Sequence, residues 1–350
     1  MFSLTLKGNC VIIINVEFRN GVDFMSKIKP CYIEEIKRVA DITKNTEGEF
    51  KFAVVADTHL DNSLPDTICN MQSVDKEVDF KCLIHLGDFL NGNFPRKYTK
   101  KILKEQMDLF VEAVKTNRFY PTPGNHDGFV DRVFHNANDM TINEDWYEAL
   151  SYMDNYDNVK KVENRQYFYA DYPDEKVRFI SVNSFHYTGF SNGEKFKKVY
   201  GYDKEQIEWI EKEALNIGSD WTVIFFSHDM PFSGVDSDEI MEDNGIVNGN
   251  LVIETVERAK EKNGFSIAAW FIGHHHGDLI KKARGINYIL VGSETAYRPQ
   301  LWSTTGTIKF YDRFLNTDSE DLWDSVILNK KERKLTLVRF GVGDDRVATY

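Results

Sequence analysis

The sequence predicts a layered α/β fold, and two observations lead to this prediction. Short apolar runs repeatedly end in polar residues, and amphipathic helical patterns lie between several of the runs. The apolar runs cover residues 52–59, 82–88, 118–127, 177–184, 221–229 and 268–276. In open α/β sheets, ligands collect beyond the carboxyl ends of the strands. We therefore expect the functional site where these runs change from Val, Ile and Phe to Asp, His and Asn.

The helical patterns complete the order of elements. A helix is predicted around residues 33–42, before the first strand, and the later helical patterns cover residues 98–116, 141–154, 203–216 and 250–262. Residues 324–341 are typical of a hairpin that turns at "NKKERK". This hairpin indicates a second sheet or an extension of the first, and not a separate domain.

One continuous domain over residues 25–350 is predicted, because no repeat or low-complexity linker interrupts the chain. Residues 1–24 differ from the rest and are interpreted as an atypical extension. A genuine strand, a disordered arm and a misplaced start before Met25 are all compatible with this stretch.

The composition is that of an ordinary globular protein and disfavours several classes of function. Apolar residues make up 42% of the chain and charged residues 28%. A net charge of −12 argues against broad attraction to nucleic acid or anionic membranes. No run approaches the roughly 18 apolar residues that a membrane-spanning helix needs. The four cysteines show no CxxC spacing, so free thiols and a cytoplasmic location are expected.

The polar ends of the strands share one chemistry. They read "DTH" at 57–59, "GD" at 87–88, "GNHD" at 124–127, "SH" at 227–228 and "GHHH" at 273–276. Any one of these is more often a helix cap or a satisfied buried histidine than a ligand. Five in order indicate a bound charged group, because converging polar groups are costly to bury without one. Carboxylate, imidazole and amide oxygen together favour Mn, Fe or Zn over calcium.

Side-chain alternation predicts which residues face the site. In an extended chain, Asp57 and His59 point to the same side. By the same rule His274 and His276 share a face, while His275 points away. Two of the three consecutive histidines are therefore predicted to bind metal.

The ordered motifs resemble those of the calcineurin-like metallophosphoesterase superfamily, which are D-x-H, GD, GNH-D/E, a single H and G-H-x-H. The resemblance covers residues 57–276, and the tail "LVRFGVGDDR" is similar to the closing strand of bacterial members. It implies a four-layer αββα sandwich of two mixed β-sheets flanked by helices, with two divalent ions (Mn, Fe or Zn). The implied ligands are Asp57, His59 and His276 for the first ion, Asn125, His228 and His274 for the second, and Asp88 for both.

The implied chemistry is hydrolysis of phosphate esters, with phosphodiesters favoured over phosphomonoesters. A hydroxide that bridges the ions would attack phosphorus in line. His126 would be the general acid, and its alternative role is to orient Asn125. The second motif reads "GDFLNG" where phosphoprotein phosphatases have GDxxDR, so protein phosphatase activity is not expected. Asn91, in that motif, is a candidate contact to the phosphate.

Two loops are candidates for substrate recognition. They span residues 185–200, with His186 as a lining residue, and 293–302, with Arg298 as a phosphate partner. A small-molecule phosphate ester is the expected partner, because no basic stripe for nucleic acid is present. The alternative function is a non-catalytic, metal-binding member of the same fold that serves as an interaction module.

Three aspartates adjoin the predicted ligands and are not themselves predicted to bind metal. Asp127 is expected either to hydrogen-bond to a metal ligand or to bond the backbone. Asp229 and Asp278 are expected either to orient imidazoles or to be exposed caps. The substrate, the native metal pair and the oligomeric state do not follow from the sequence.

Overall fold

A six-stranded sheet carries the first three motifs. The computed structural model describes residues 28–61, 63–92, 94–128, 143–188, 197–232, 246–295 and 308–350, so the extension predicted for 1–24 lies outside the described residues. The strands of the sheet are β1 (Phe50–Val55), β2 (Leu83–His85), β3 (Phe119–Pro121), β13 (Leu322–Asn329), β14 (Lys334–Gly341) and β15 (Arg346–Thr349). Their order is β15-β14-β13-β1-β2-β3. Since β1, β2 and β3 are parallel, their carboxyl ends meet at one edge.

The predicted C-terminal hairpin is confirmed. β13 and β14 pair in antiparallel fashion around the "NKKERK" turn, and β13 also pairs with β1. The hairpin therefore extends the first sheet and does not form a separate unit.

A seven-stranded sheet carries the other two motifs. Its strands are β4 (Val159–Lys161), β5 (Phe168–Tyr172), β6 (Val177–Ser181), β9 (Thr222–Ser227), β10 (Ser266–Ile272), β11 (Leu279–Ala283) and β12 (Ile286–Leu290), in the order β11-β12-β10-β9-β6-β5-β4. β6, β9, β10 and β12 are parallel, so the chain leaves β9 and β10 at the same edge. A separate hairpin consists of β7 (Phe185–Thr188) and β8 (Lys197–Tyr200).

Six α-helices flank the sheets in the described part of the chain. They are α1 (Ile33–Asn45), α2 (Leu64–Val78), α3 (Arg96–Val111), α4 (Asn143–Ala149), α5 (Lys204–Trp209) and α6 (Gly249–Asn263). Two predicted helices change type along their length: α4 continues as a 3-10 helix over Leu150–Asn155, and α5 as a π-helix over Ile210–Ala214. The pattern analysis missed α2, although Pro65 in its first turn is a common start signal.

The two sheets pack face to face with helices on their outer faces. The ring of Phe52 in β1 packs against Phe179 in β6 at 5.2 Å and Phe271 in β10 at 5.8 Å between centroids. Alternate residues of β9 and β10 point the other way into a second core with α5 and α6. On the far side, Thr43 of α1 shares a 2.8 Å hydrogen bond with Ser325 of β13. The predicted αββα sandwich is therefore confirmed.

The helices of the described segments are all too short or too polar to cross a lipid bilayer.

Candidate metal centre

The loops that follow β1, β2, β9 and β10 bring Asp and His side chains from both sheets together. Asp57, His59, Asp88 and His276 each place one donor atom within 4.8 Å of the others, and we call this set the first donor group. Asp88, His228 and His274 do the same, and we call them the second donor group. Asp88 belongs to both groups and lies between them.

These loops turn sharply where the chain leaves each strand. The φ angles are +55° at Asp57, +47° at His59 and +57° at Asp88, and they are +64° at His274 and +56° at His276. The side-chain alternation rule assumes an extended backbone and therefore does not apply to these residues. Their backbone conformation was predicted wrongly, although their side chains do converge. Left-handed backbone costs a non-glycine residue about 1–2 kcal/mol, so the surrounding structure must hold these loops in place.

Backbone and carboxylate hydrogen bonds provide this support. The amides of Asp57 and His59 donate to the carbonyls of Gly87 and Asp88, both at 3.0 Å. Asp127 is fully buried, and its Oδ2 accepts from the amides of Asp88 and Gly124, both at 2.8 Å. Burial and the nearby charge of Asp88 raise the pKa of Asp127 to about 7. Asp127 thus bonds the backbone, one of the two roles expected of it.

Two glycines are required because other groups approach them closely. A Cβ atom at Gly124 would lie 2.1 Å from the amide nitrogen of Asp88, and one at Gly273 would lie 2.7 Å from Oδ2 of Asp57. Any side chain at either position would push a donor residue out of place.

The first donor group presents lone pairs to a shared space. Nε2 of His59 lies 3.1 Å from Nε2 of His276 and 3.7 Å from Oδ2 of Asp88. Nδ1 of His59 lies 3.0 Å from the carbonyl of Leu90, which can only accept, so the proton resides on Nδ1 and Nε2 keeps its lone pair. Oδ1 of Asp57 is buried, and Nε2 of His276 lies 3.4 Å from it.

The second donor group also directs its donor atoms toward a shared space. Oδ1 of Asn125 lies 2.7 Å from Nδ1 of His274 and 3.0 Å from Nε2 of His228, so Asn125 joins this group through its amide oxygen. Nε2 of His228 is also 3.3 Å from Oδ2 of Asp88. Nδ1 of His228 donates to the carbonyl of Leu86 at 2.6 Å, so Nε2 is the nitrogen that faces the group and would bind an ion in exchange for its proton.

The carboxylates of the centre favour positive charge at His228, whereas burial lowers the pKa of His274 to about 3. Burial lowers the pKa of the His228 imidazole, but the carboxylates of Asp88 and Asp57 outweigh it and raise this pKa to about 10. Burial likewise opposes ionisation of Asp88, yet the neighbouring histidines, His228 first among them, hold its pKa well below the usual range. Converging imidazole nitrogens, an amide oxygen and buried carboxylate oxygens fit divalent metal ions.

His126 and Asn91 lie beside the shared carboxylate. The backbone amide of His126 donates to Oδ1 of Asp88 at 2.6 Å, and its Nε2 is 4.0 Å from Oδ2. Nδ1 of His126 donates to the main-chain carbonyl of Asn91 at 3.2 Å. The side-chain amide of Asn91 in turn donates to the carbonyl of His59 at 2.7 Å. The structure thus brings both residues to the centre, while their roles stay predictions.

The residues next to the ligands have distinct surroundings. Nε2 of His275 lies 3.6 Å from Oδ1 of Asp229, and Nε2 of His274 lies 3.9 Å from Oδ2 of the same carboxylate. Asp229 therefore adjoins imidazoles, which was one of its two expected roles. Asp278 has neither expected role, because it is buried and paired with Arg339 at 2.8 Å and Arg346 at 3.1 Å.

The sequence analysis missed the aromatic contacts of the second donor group. Ring centroids are 5.6 Å apart for Phe185 and His228, 5.0 Å for Phe185 and Tyr200, and 6.1 Å for Tyr200 and His274. The β7–β8 hairpin is thereby attached to this group. The only sequence signal was its aromatic content, which does not reveal such contacts.

The structure says less about two of the predicted substrate contacts. His186 lies in β7, where it pairs with Val199 of β8. Arg298 lies outside the described residues. The substrate contacts of both stay predictions.

The fold and the donor groups define a class, the metal-dependent hydrolases with paired ion sites at strand ends. A sequence profile of the calcineurin-like phosphoesterase family matches residues 50–278, and the chain therefore belongs to that family. The protein is accordingly a metallophosphoesterase, a hydrolase of phosphoric ester bonds.

Solved structures support the fold. A dimetal phosphatase from Danio rerio matches with a TM-score of 0.53 and 14% identity, over 87% of this chain and 100% of that one. GAP50, the anchor in the inner membrane complex of Plasmodium, matches with a TM-score of 0.43 and 11% identity over 83% and 84% of the two chains. A putative 5'-nucleotidase from Staphylococcus aureus matches with a TM-score of 0.40 and 12% identity over 86% and 54%. A search of curated protein sequences gave no match.

Proposed function

We propose that this protein is a dinuclear metal-dependent phosphoesterase that hydrolyses phosphodiesters in preference to phosphomonoesters. One observation carries the proposal: the carboxylate of Asp88 belongs to both donor groups. A shared carboxylate is what a pair of ions needs if both are to contact one phosphoryl group. Asp57, His59 and His276 would hold the first ion, and Asn125, His228 and His274 the second, with Asp88 on both.

The formal charge of the centre would attract an anionic ester. Two divalent ions would bring four positive charges, Asp57 and Asp88 contribute two negative charges, and a singly charged nucleophile one more. The remaining positive charge, together with the proton that His126 would donate, would draw a phosphate ester to the centre although the chain as a whole carries a net charge of −12.

When bound, the ions would act as Lewis acids toward the ester and lower the pKa of water for its attack. His126 would supply the proton that the leaving alkoxide needs. Its Nδ1 is held by the carbonyl of Asn91, which fixes the ring and leaves Nε2 on the side of Asp88. The side chain of His126 is 25% exposed, so a substrate can reach it.

Further assignments belong to the same proposal. Asn91, His186 and Arg298 would contact the ester, the ions would be Mn, Fe or Zn, and the protein would act in the cytoplasm. The donor set supports the choice of metals because imidazole and carboxylate together suit these ions.

The test is metal analysis combined with a substrate panel. We expect protein that is stripped with a chelator and reloaded with Mn²⁺ to bind two ions per chain. We also expect kcat/KM for bis(p-nitrophenyl) phosphate to exceed that for p-nitrophenyl phosphate by about tenfold or more, or about 1.4 kcal/mol. Glu148→Gln is a matched control, because Glu148 is exposed and pairs only with surface Lys100 in the described part of the chain. Two ions without turnover would favour the non-catalytic module, and absence of bound ions would refute the proposal.

A further inference from the structure

A second pair of buried carboxylates lies apart from the two donor groups. Glu294 and Asp321 are both fully buried. Oγ1 of Thr67 connects them, since it lies 2.6 Å from Oε1 of Glu294 and 3.0 Å from Oδ1 of Asp321. Ser63 also donates its hydroxyl to Oε1 of Glu294 at 2.7 Å. All of these hydrogen bonds reach only one oxygen of Glu294.

Two buried polar atoms of this cluster lack a hydrogen-bond partner in the described part of the chain: Oε2 of Glu294 and Oδ1 of Asn70. Asn70 adjoins the pair because its Nδ2 donates to Oδ2 of Asp321 at 2.8 Å. Each buried polar group without a partner costs about 1–3 kcal/mol, so two in one hydrogen-bonded cluster indicate a missing ligand.

When both carboxyl groups are ionised, neither has a direct ion pair with a described residue. The buried guanidinium of Arg313 is close enough for its charge to act on both, but it donates to the carbonyls of Ser319 at 2.7 Å and Ser293 at 2.6 Å instead of to a carboxylate, so one cation faces two anions. Lys29 pairs with Asp66 at 2.8 Å and Glu320 at 2.9 Å. The missing ligand is therefore expected to be positively charged.

We propose that Glu294, Asp321 and Asn70 bind a hard cation (Na⁺, K⁺, Mg²⁺ or Ca²⁺) at a site separate from the catalytic centre. Only oxygen atoms are offered here, from carboxylate, amide and hydroxyl groups, and such donors suit alkali and alkaline-earth ions. The catalytic centre, which is rich in imidazole, suits transition metals instead. The cation lies beside the two unpartnered oxygens, Oε2 of Glu294 and Oδ1 of Asn70, and offsets the charge of the two carboxylates.

The position of this site gives the cation a structural role. The amide of Glu294 donates to the carbonyl of Ala56 at 2.8 Å, and Oγ of Ser293 donates to the carbonyl of Asp57 at 2.9 Å. The segment that carries Glu294 thus supports the loop that carries Asp57. Binding of the cation stabilises the fold beneath the first donor group without contacting the substrate.

Thermal unfolding of the full chain tests the proposal. Chelator-treated protein is unfolded in Na⁺, K⁺, Mg²⁺ or Ca²⁺ and, as the reference, in tetramethylammonium at equal ionic strength. We expect at least one of the four cations to raise Tm by about 3–6 °C at roughly hundredfold excess over its Kd. Asp88→Asn, which alters only the catalytic centre, is expected to keep this shift, and Glu294→Gln is expected to lose it.

The outcomes separate this site from the catalytic one. A shift that persists in Glu294→Gln, or that disappears in Asp88→Asn, overturns the proposal, as does a wild-type Tm that is the same in all five salts. If Glu294→Gln does not fold, equilibrium dialysis of wild-type protein whose centre is saturated with Mn²⁺ gives the second readout. One further ion of the stabilising element per chain supports the site, and none contradicts it.

Discussion

Nε2 of His228 lies 3.3 Å from Oδ2 of Asp88, although the two residues follow strands of different sheets. His228 comes directly after β9 of the seven-stranded sheet, and Asp88 follows β2 of the six-stranded sheet. The second donor group therefore exists only while the sheets pack against each other. The metal centre thus depends on the packing of the core between the two sheets.

Asp88→Asn is the sharpest change that the centre offers. It keeps the shape of the side chain but removes the negative charge that both donor groups share. We expect the affinity for metal to fall by at least about 100-fold. Loss of a residue that only hydrogen-bonds to a metal ligand typically lowers metal affinity by roughly 10–100-fold, and loss of a shared ligand should cost more. Turnover should fall together with metal affinity. Equilibrium dialysis with Mn²⁺ measures the first effect. Asp108→Asn, an exposed change on α3, is the control, and unchanged binding of two ions by Asp88→Asn would contradict the assignment.

The sequence indicated which residues would converge at the centre, but it did not indicate their backbone conformation. The donor residues stand at the ends of apolar runs, and strand order alone brings them to one edge. The left-handed turns at Asp57 and His274 could not be foreseen, because hydrogen bonds to distant segments hold them. Pairs such as Asp278 with Arg339, and Thr67 with Glu294, join residues far apart in the chain and leave no local pattern.

His126→Ala separates proton donation from a structural role. If His126 protonates the leaving group, we expect turnover of an alkyl phosphodiester to fall by roughly 10²–10⁴ while both ions stay bound. A p-nitrophenyl diester should lose much less, because p-nitrophenolate leaves without a proton. Steady-state kinetics on the two substrates measures this difference. An equal loss on both substrates, together with loss of the second ion, would instead assign His126 to the orientation of Asn125.

Gly273→Ala tests how closely the last motif packs against the first. The new Cβ would lie 2.7 Å from Oδ2 of Asp57, so that carboxylate must move. We expect weaker binding of one metal ion together with a loss of about 1–3 kcal/mol in unfolding free energy. Gly285→Ala is the control for an added methyl group, because no atom lies within 4 Å of its new Cβ, although its φ of +75° adds backbone strain that Gly273 does not have. Metal titration should distinguish the two variants. Equal metal affinity in both would show that the close approach of Gly273 is not needed to position Asp57.

Arg339→Met tests the buried ion pairs behind the last motif. Arg339 is fully buried between Asp278 and Asp324, at 2.8 and 2.9 Å. Removing its charge leaves two buried carboxylates with only Arg346 as a close cation among the described residues. We expect a loss of about 3–5 kcal/mol in denaturant unfolding. Arg284→Met, which breaks a half-exposed pair with Glu257, should cost at most about 1 kcal/mol. Similar losses in the two variants would show that Arg339 is not essential to the stability of these pairs.

The pH dependence of stability reports on Glu294 in protein that is free of metal ions. Burial and then the charge of Asp321 raise the pKa of Glu294 to about 8 in the folded chain, above its ordinary value of 4.5. The folded state therefore binds this proton more tightly than the unfolded state, so the stabilisation is complete below about pH 4.5 and is lost as pH rises to about 8. Asp321, whose pKa burial raises to about 6, acts in the same direction.

In tetramethylammonium salts, we expect the unfolding free energy of wild-type protein to fall relative to that of Glu294→Gln by up to about 1.4 kcal/mol per pH unit across this range. Chemical denaturation of both proteins at several pH values measures the difference. A constant difference across the range would mean that Glu294 does not titrate there.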